Sequence, residues 1–411
     1  MLRADPPRHH LGWRLAVLPF RSKGLSAGPG IALGMAEEIS AALARFGLPR
    51  LVATATFWDG VGPVTDARSI CRTHQLDYVI DGTIQTHGNS IIVEVSLLDV
   101  VLDFDVVWHG RFDGTLDDLF SLQHGIAFQT VRHVDPDMSH GNAEAMAPIR
   151  TEIAEAHQCV LTAIQGIFRV DRPTFIQARD YLLRAIELDD EYAAAHTWLA
   201  YWSIFAAGQG WVENPGAVME LAGTAASRAI ELDPFDARAV AIAGHVRAYL
   251  FHDVPHALEL LARAIELNPN LPIAWTMSSW SRIYNGDHVM AVRHAMMAQS
   301  LSPRDPHIWF AEHAFATAQL FNRNLEEAEA LNAVVLERMP GHVSALIVRL
   351  AILGHLGRTE EANHYLAMLR KFDPQVTVAR IASRIVLRPA DKGFYMEGLE
   401  RAGVPRDSNG L

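Results

Sequence analysis

The sequence lacks most of the features that mark secreted, membrane-spanning or disulfide-rich proteins. Only two cysteines occur, Cys71 and Cys159, and they lie far apart, so we expect free thiols in a reducing compartment. No run of about 18 uninterrupted apolar residues is present, so no membrane-spanning helix is expected. The first ten residues carry charge and proline but no apolar core, which is unlike a secretory signal. Together these absences predict a cytoplasmic location.

Basic residues are fewer than acidic residues in this chain. The chain has 47 acidic and 35 basic residues, a net charge of −12 and a pI of about 5.9. Nucleic acids and anionic membranes attract basic surfaces, so we expect no direct binding to nucleic acid or to a membrane. Half of the residues are hydrophobic, which is normal for a folded protein, and the length predicts two or three domains.

Patterns that carry chemistry are missing as well. No Gly-x-Ser-x-Gly or His-Glu-x-x-His motif occurs, and Pro255 separates His252 from His256, so the two do not share one helical face. We therefore predict no catalytic residue, no metal site, no cofactor and no small-molecule substrate. The adjacent pair Glu37 and Glu38 is interpreted as solvated, because neighbouring residues on a helix do not face each other.

A short motif recurs through the second half of the chain. Residues 263–269 have the sequence Arg-Ala-Ile-Glu-Leu-Asn-Pro, and 228–234 and 184–190 are close copies. Weaker copies follow, and prolines recur at intervals of roughly 34 residues: Pro234, Pro269, Pro303, Pro340 and Pro374. This period is typical of tetratricopeptide (TPR) repeats. The alanines are expected where paired helices touch, and the Asp-Pro or Asn-Pro step ends each second helix.

The first third of the chain has a different pattern. Residues 78–86 and 90–100 flank His87-Gly88-Asn89 and predict a β-hairpin, and 105–112 predicts a third strand. A helix over about 31–46 carries Met35, Ile39 and Leu43 on one face. Strands and helices in this order predict a small α/β domain.

Several stretches of this region resemble the TolB-like domain that precedes TPR repeats in bacterial signalling proteins. They are Leu15-Ala16-Val17-Leu18-Pro19-Phe20, Met35-Ala36-Glu37-Glu38-Ile39, Asp77-Tyr78-Val79-Ile80-Asp81-Gly82-Thr83, Val93-Glu94-Val95-Ser96-Leu97-Leu98-Asp99 with Trp108 and Phe112, and Asp117-Asp118-Leu119-Phe120-Ser121-Leu122-Gln123. The fold class predicted is a small α/β N-terminal domain followed by an all-α TPR superhelical solenoid. The predicted boundaries are a disordered lead at 1–12, the TolB-like domain at 13–134, a linker at 135–148, five to six repeats at 149–376, and capping helices with a tail at 377–411.

The resemblance also suggests where a partner would bind. Trp275 holds the large-residue position of its repeat and is expected in the core, whereas Trp280 and Tyr284 fall where this repeat family tends to face the concave groove. Packing between repeats is an equally open interpretation of these two aromatic residues. The same register assigns Thr276, Ile347 and His355 to the groove.

These observations predict a non-enzymatic protein–protein interaction module in bacterial signalling or transcriptional regulation. Another protein or a peptide would bind in the concave groove. The alternative is the regulatory C-terminal half of a truncated or split nucleotide cyclase or winged-helix activator. In proteins with this arrangement the effector domain lies N-terminal to the TolB-like domain, where this chain has only about a dozen residues.

Overall fold

The computed structural model describes residues 14–23, 29–45, 51–58, 66–115, 154–168, 172–208, 211–212, 214–302 and 307–407, with 122–123, 125–127, 129–130 and 305. The predicted lead at 1–12 and the predicted linker at 135–148 lie outside these residues.

The N-terminal region begins with short parallel strands and one long helix. Strands β1 (Leu15–Val17) and β2 (Arg21–Lys23) precede helix α1 (Pro29–Arg45), and β3 (Leu51–Val52) precedes helix α2 (Ala67–Thr73). Helix α1 buries Met35, Ile39 and Leu43, as its sequence pattern predicts. Asp66 caps α2, because its carboxylate accepts the Ser69 N–H at 3.1 Å.

The predicted hairpin and third strand are confirmed. Strands β4 (Tyr78–His87), β5 (Ser90–Asp99) and β6 (Asp105–Thr115) pair antiparallel, and Gly88 supplies the positive φ of +59° at the hairpin turn. Across the sheet the order is β3-β1-β4-β5-β6, and β2 pairs with β4 beyond the end of β1. The sheet therefore joins three short parallel strands, β1, β2 and β3, to an antiparallel meander.

Residues 154–369 of the described chain form six helical hairpins, which confirms the predicted repeat architecture. The first helices of the pairs are α3 (Ala154–Phe168), α5 (Ala193–Gly208), α7 (Ala237–Phe251), α9 (Pro272–Asn285), α11 (Ile308–Phe321) and α13 (Val343–Leu356). The second helices are α4 (Arg172–Leu188), α6 (Pro215–Leu232), α8 (Val254–Leu267), α10 (His288–Leu301), α12 (Leu325–Arg338) and α14 (Thr359–Leu369).

Small side chains allow the close helix contacts. The recurrent alanines Ala185, Ala229 and Ala264 are fully buried, and the Ser279 hydroxyl donates to the Ala291 carbonyl at 2.8 Å within one pair. Successive first helices also contact one another from α3 to α13. We call these six helices the first-helix row, and they form the inner side of the array.

The N-terminal region and the repeats share one hydrophobic core. Helix α1 packs against α3, and a side chain at Gly34 would come within 2.5 Å of Leu161 Cδ2. A single cluster of buried apolar residues extends from Leu15 to Trp309. The two regions that the sequence distinguishes are therefore packed as one body.

The C-terminal segment, residues 376–404, folds back on the array. It contains α15 (Val378–Arg384) and α16 (Pro389–Arg401), and α16 packs along α13. At this crossing Gly354 of α13 meets the backbone of Gly398. Neither helix has a Cβ at the contact, so their backbones approach closely.

The buried side chain of His307 contacts residues from distant repeats. The Tyr201 hydroxyl donates to His307 Nδ1 at 2.6 Å, and His307 Nε2–H donates to the Ile167 carbonyl at 3.1 Å. This imidazole stacks on Phe168 and Phe205 at 5.4 and 4.7 Å between ring centres. The first, second and fifth repeats thus meet in the middle of the array.

The helix crossing at Gly354 gives a prediction with a matched control. Gly354→Ala places a methyl group against the Gly398 carbonyl, and such overpacking costs about 1–3 kcal/mol of unfolding free energy. Gly393→Ala in α16 meets no atom within 4 Å, so it removes only the flexibility of glycine and stabilises by about 0.5–1 kcal/mol. Urea denaturation measures both variants. A Gly354→Ala protein as stable as Gly393→Ala would show that the two helices are not in close contact in solution.

A second prediction concerns pH. Burial lowers the pKa to about 4 for each of His157, His245, His307 and His342. The unfolded chain then binds these protons more readily, so the free energy of unfolding is greatest above pH 6.5 and falls as the pH drops toward 4. Each histidine removes up to about 3 kcal/mol, against a typical total of about 5–15 kcal/mol.

Urea unfolding at several pH values between 7.5 and 4.5 tests this expectation. The His342→Gln substitution is expected to reduce the pH dependence of the unfolding free energy. It removes the imidazole whose Nδ1 accepts the Ala345 N–H and would be protonated at low pH. The control substitution His364→Gln, at an exposed position, is expected to leave the pH dependence of the unfolding free energy unchanged. A stability that stays constant from pH 7 to pH 5 contradicts the assignment of neutral buried imidazoles.

Candidate functional site

Two of the groove residues predicted from the sequence are buried between repeats. The Trp280 ring is 8% exposed and packs against Phe310 and His313 at 5.8 and 5.0 Å between ring centres. Thr276 is 4% exposed, and its hydroxyl donates to the Pro272 carbonyl at 3.0 Å. Trp275, expected in the core, is only half-buried, and its indole N–H donates to the Pro269 carbonyl at 2.7 Å. Inter-repeat packing is therefore the observed environment of Trp280.

The other three predicted residues are half-buried on α9 and α13. His355 stacks on Phe394 of α16 at 3.7 Å, and its Nε2–H donates to the Phe394 carbonyl at 2.9 Å. Tyr284 packs beside Val386 against the cluster of Ala248, Val254 and Ala257. Ile347 packs against the core of the last repeats. Two of the three thus lie where the C-terminal segment crosses the first-helix row.

The clearest concave feature lies elsewhere, at the junction of the N-terminal region and the repeats. A cavity of about 150 Å³ opens between α1 and the N-terminal ends of α5, α7 and α9. Its walls include carboxylates, one guanidinium and several aromatic rings: Glu37, Glu38, Asp233, Asp236, Asp305, Arg238, Phe168, Tyr192, Trp198 and Tyr201. We call it the junction cavity.

An ion pair across the junction holds one wall of the cavity. Arg238 Nη2 lies 3.3 Å from Glu37 Oε2, and both side chains are more than four-fifths buried. The Arg238 guanidinium also lies 4.2 Å over the Trp198 ring. The expectation that Glu37 is solvated is therefore wrong, because its partner lies 201 residues later in the sequence. No local pattern could have paired the two.

Two aspartates of the cavity are held by neutral donors. Asp236 accepts the Arg238 backbone N–H at 2.8 Å and the Thr197 hydroxyl at 3.2 Å. Asp305 accepts the His307 N–H at 2.8 Å. Burial raises the pKa of Asp305 to about 6 and nearby Glu37 adds to the shift, while the His307 hydrogen bond and Arg238 oppose it. Both aspartates thus accept hydrogen bonds from the protein itself.

Nothing in the described residues resembles a metal centre, since no three His, Cys, Asp or Glu side chains are grouped to hold one. The Cys71 thiol is buried, and burial raises its pKa to about 12, which is the opposite of what a nucleophilic cysteine requires. Among the described helices, none combines the length and apolar character needed to cross a bilayer.

Comparison with known families links the N-terminal region to transcriptional regulators. Residues 12–128 match the family described as the second domain of HilA/YgeH-like transcriptional regulators. This match covers less than a third of the chain. The TolB-like assignment, which names a different family, stays a prediction.

Individual relatives are distant. Over 196 residues the chain is 25% identical to putative adenylate cyclase 3 of Rhizobium meliloti (strain 1021), a match that covers 47% of this chain. The chain spans only 33% of the length of that relative.

Solved structures of TPR proteins also align with the chain. One is a thermophilic TPR protein of Thermus thermophilus, with 16% identity, a TM-score of 0.38, and coverage of 48% of this chain and 98% of that one. Another is YrrB, described as a TPR protein with an unusual peptide-binding site, with 20% identity, a TM-score of 0.31, and coverage of 50% and 98%. At these values no ligand, partner or activity transfers to this chain from either structure.

Proposed function

We propose that the chain is a non-enzymatic protein-interaction module in bacterial signalling or transcriptional regulation. An amphipathic helix of a partner protein binds on the first-helix row, at the C-terminal ends of α9, α11 and α13. The observation that carries the proposal is that the chain's own C-terminal segment lies there. Helix α16 packs along α13, its Tyr395 contacts Phe321 of α11, and Arg388 at its start donates to Asn285 of α9. The N-terminal domain, interpreted as TolB-like from its sequence, forms a second surface of the same module.

The contacts of α16 define the chemistry that this surface accepts. Phe394 stacks on His355, and the Arg323 guanidinium lies 3.2 Å from the centre of the Phe394 ring. One turn earlier, Asp391 Oδ2 lies 3.0 Å from His288 Nε2. The surface under α16, which includes His288 of α10 and Arg323 after α11, therefore offers stacking surfaces and donors that suit a helix with an aromatic residue and a carboxylate on one face.

The predicted groove residues fall into two groups, those proposed to contact the partner and those buried between repeats. Tyr284 and His355 lie where the C-terminal segment crosses the row, and Ile347 lies eight residues before His355 on α13. These three residues are proposed to contact the partner. Thr276 and Trp280 are buried, and Trp280 packs α9 against α11. The partner helix takes the place of α16, and the proposed location of this exchange is the cytoplasm.

A second candidate is the regulatory part of a nucleotide cyclase or of a winged-helix regulator. The match to a domain of transcriptional regulators and the relative named as a putative adenylate cyclase favour it. Incubation of the purified chain with ATP and Mg²⁺ or Mn²⁺ tests for intrinsic activity. We expect no cyclic AMP above the blank, and its formation would overturn the non-enzymatic assignment.

Site-specific photocrosslinking in the source bacterium tests the proposed partner site. A benzophenone side chain at Ile347 is expected to capture a partner protein, whereas the same probe at exposed Glu337 of α12 captures none, because second helices lie on the outer side of the array. The Phe394→Ala substitution weakens the packing of α16 on the array. It is expected to raise the yield of crosslinked partner protein several-fold. Phe372→Ala removes an aromatic ring that is 54% exposed and leaves the yield unchanged.

The outcomes separate the proposal from a purely structural role of α16. Equal yields at Ile347 and Glu337 contradict a site on the first-helix row. A lower yield in Phe394→Ala, with a melting temperature unchanged, contradicts the exchange of α16 for a partner helix. Thermal melts of each variant establish that the fold is retained.

A further inference from the structure

The side chains of α16 that contact the array follow one helical stripe. Asp391, Tyr395 and Gly398 are buried, and Phe394 is half-buried. These four positions are i, i+3, i+4 and i+7, which lie on one face of a helix. Gly393 lies outside the stripe, where a Cβ would meet no atom within 4 Å. One face of α16 therefore makes the contacts.

The first two positions of the stripe meet polar and charged groups of the array. Asp391 Oδ2 lies 3.0 Å from His288 Nε2, and both side chains are 12% exposed. The Phe394 ring contacts both the His355 imidazole and the Arg323 guanidinium. An aromatic face accepts a stacked imidazole and attracts a cation, so these contacts favour a carboxylate at i and an aromatic ring at i+3.

The third position is aromatic and the fourth has to be small. The Tyr395 ring is 6% exposed, and its centre lies 5.8 Å from the centre of the Phe321 ring. A Cβ at Gly398 would lie 2.6 Å from the Ala351 carbonyl oxygen and 2.7 Å from His355 Cδ2. A backbone carbonyl cannot turn aside as a flexible side chain can, so only glycine fits at i+7 without displacement of α13.

A partner helix has to reproduce these contacts because α16 competes with it. Helix α16 belongs to the same chain, so its effective concentration at the surface is on the order of millimolar. A partner binds only those molecules in which α16 has left the surface, and its apparent dissociation constant rises accordingly. A helix that lacks one of the four contacts is at a disadvantage against α16, which makes all of them.

A second copy of the chain is a less favourable occupant than another protein. The α16 helix of a second copy is already packed on its own array. Exchange of the two helices therefore gains no contact and costs the entropy of association. A different protein with an exposed matching helix does not lose such contacts when it binds.

We infer that the partner helix carries the pattern Asp-x-x-Phe-Tyr-x-x-Gly, in which x is any residue and the four fixed residues take the positions of Asp391, Phe394, Tyr395 and Gly398. The inference rests on the proposed function, because it describes the helix that replaces α16. The array binds the carboxylate with an imidazole, the first ring with an imidazole and a guanidinium, and the second ring with a phenyl ring. The glycine permits the close crossing with α13.

A synthetic peptide tests this pattern on the full chain. A fluorescein-labelled peptide with the sequence of residues 387–403 is titrated with the chain that carries Phe394→Ala, and fluorescence anisotropy measures binding. Saturable binding is expected, and it is expected to be at least about tenfold weaker to the unmodified chain, where the chain's own α16 occupies the surface. Absence of binding to a folded Phe394→Ala chain up to about 1 mM peptide overturns the inference.

Two glycine variants of the peptide form a matched pair. Gly398→Ala and Gly393→Ala raise helix propensity equally, but only Gly398→Ala places a methyl group at the crossing with α13. Gly398→Ala is expected to weaken binding about tenfold or more, and Gly393→Ala is expected to bind at least as tightly as the unmodified peptide. Equal affinities of the two variants overturn the inference.

A double-mutant cycle tests the carboxylate. Asp391→Asn in the peptide is expected to weaken binding to the Phe394→Ala chain about threefold to tenfold, and to have little effect when that chain also carries His288→Gln. A loss of the same size in both chains contradicts recognition of the carboxylate by His288. Thermal melts establish that both chains are folded.

Two further outcomes separate this inference from the proposed function. Capture at Ile347 of a protein that lacks the pattern overturns the inference and leaves the proposed site intact. Selective binding of the peptide without any capture at Ile347 supports the specificity of the surface and contradicts the proposed function. Light scattering identifies the remaining occupant, because a dimer of the unmodified chain that the peptide dissociates shows that a second copy binds there, which overturns the assignment to another protein.

Discussion

The contact between Tyr201 and His307 governs the shape of the repeat array. It joins side chains 106 residues apart, and the other nitrogen of the same imidazole donates to Ile167 in the first repeat. Burial lowers the pKa of His307 to about 4, so the imidazole is neutral and can use one nitrogen as acceptor and the other as donor. A chain of hydrogen bonds from Tyr201 through His307 to Ile167 therefore joins the first, second and fifth repeats.

The N-terminal region does not behave as a separate domain in the structure. Helix α1 packs on α3 and reaches the start of α7, where Glu37 meets Arg238. The Thr56 hydroxyl reaches Ser302, at the end of the fourth repeat, at 2.9 Å. A curved array brings these distant helix ends to one side, and the sheet domain fits against them.

The junction cavity and the surface under α16 lie at opposite ends of helix α9. The N-terminal ends of α5, α7 and α9 line the junction cavity, and the C-terminal ends of α9, α11 and α13 contact the C-terminal segment. Helix α9 takes part in both, with Pro272 and Ile273 at the cavity and Tyr284 near the segment.

The sequence by itself determined the local elements. The repeated Ala and Pro positions and the turn at Gly88 depend on neighbours a few residues away, so their patterns could be interpreted directly. Only the tertiary structure decided the environments of Trp280, Glu37 and His307. Each depends on a partner from another repeat or from the other region, and periodicity along the chain specifies which face a residue occupies but not what the curvature of the array brings against that face.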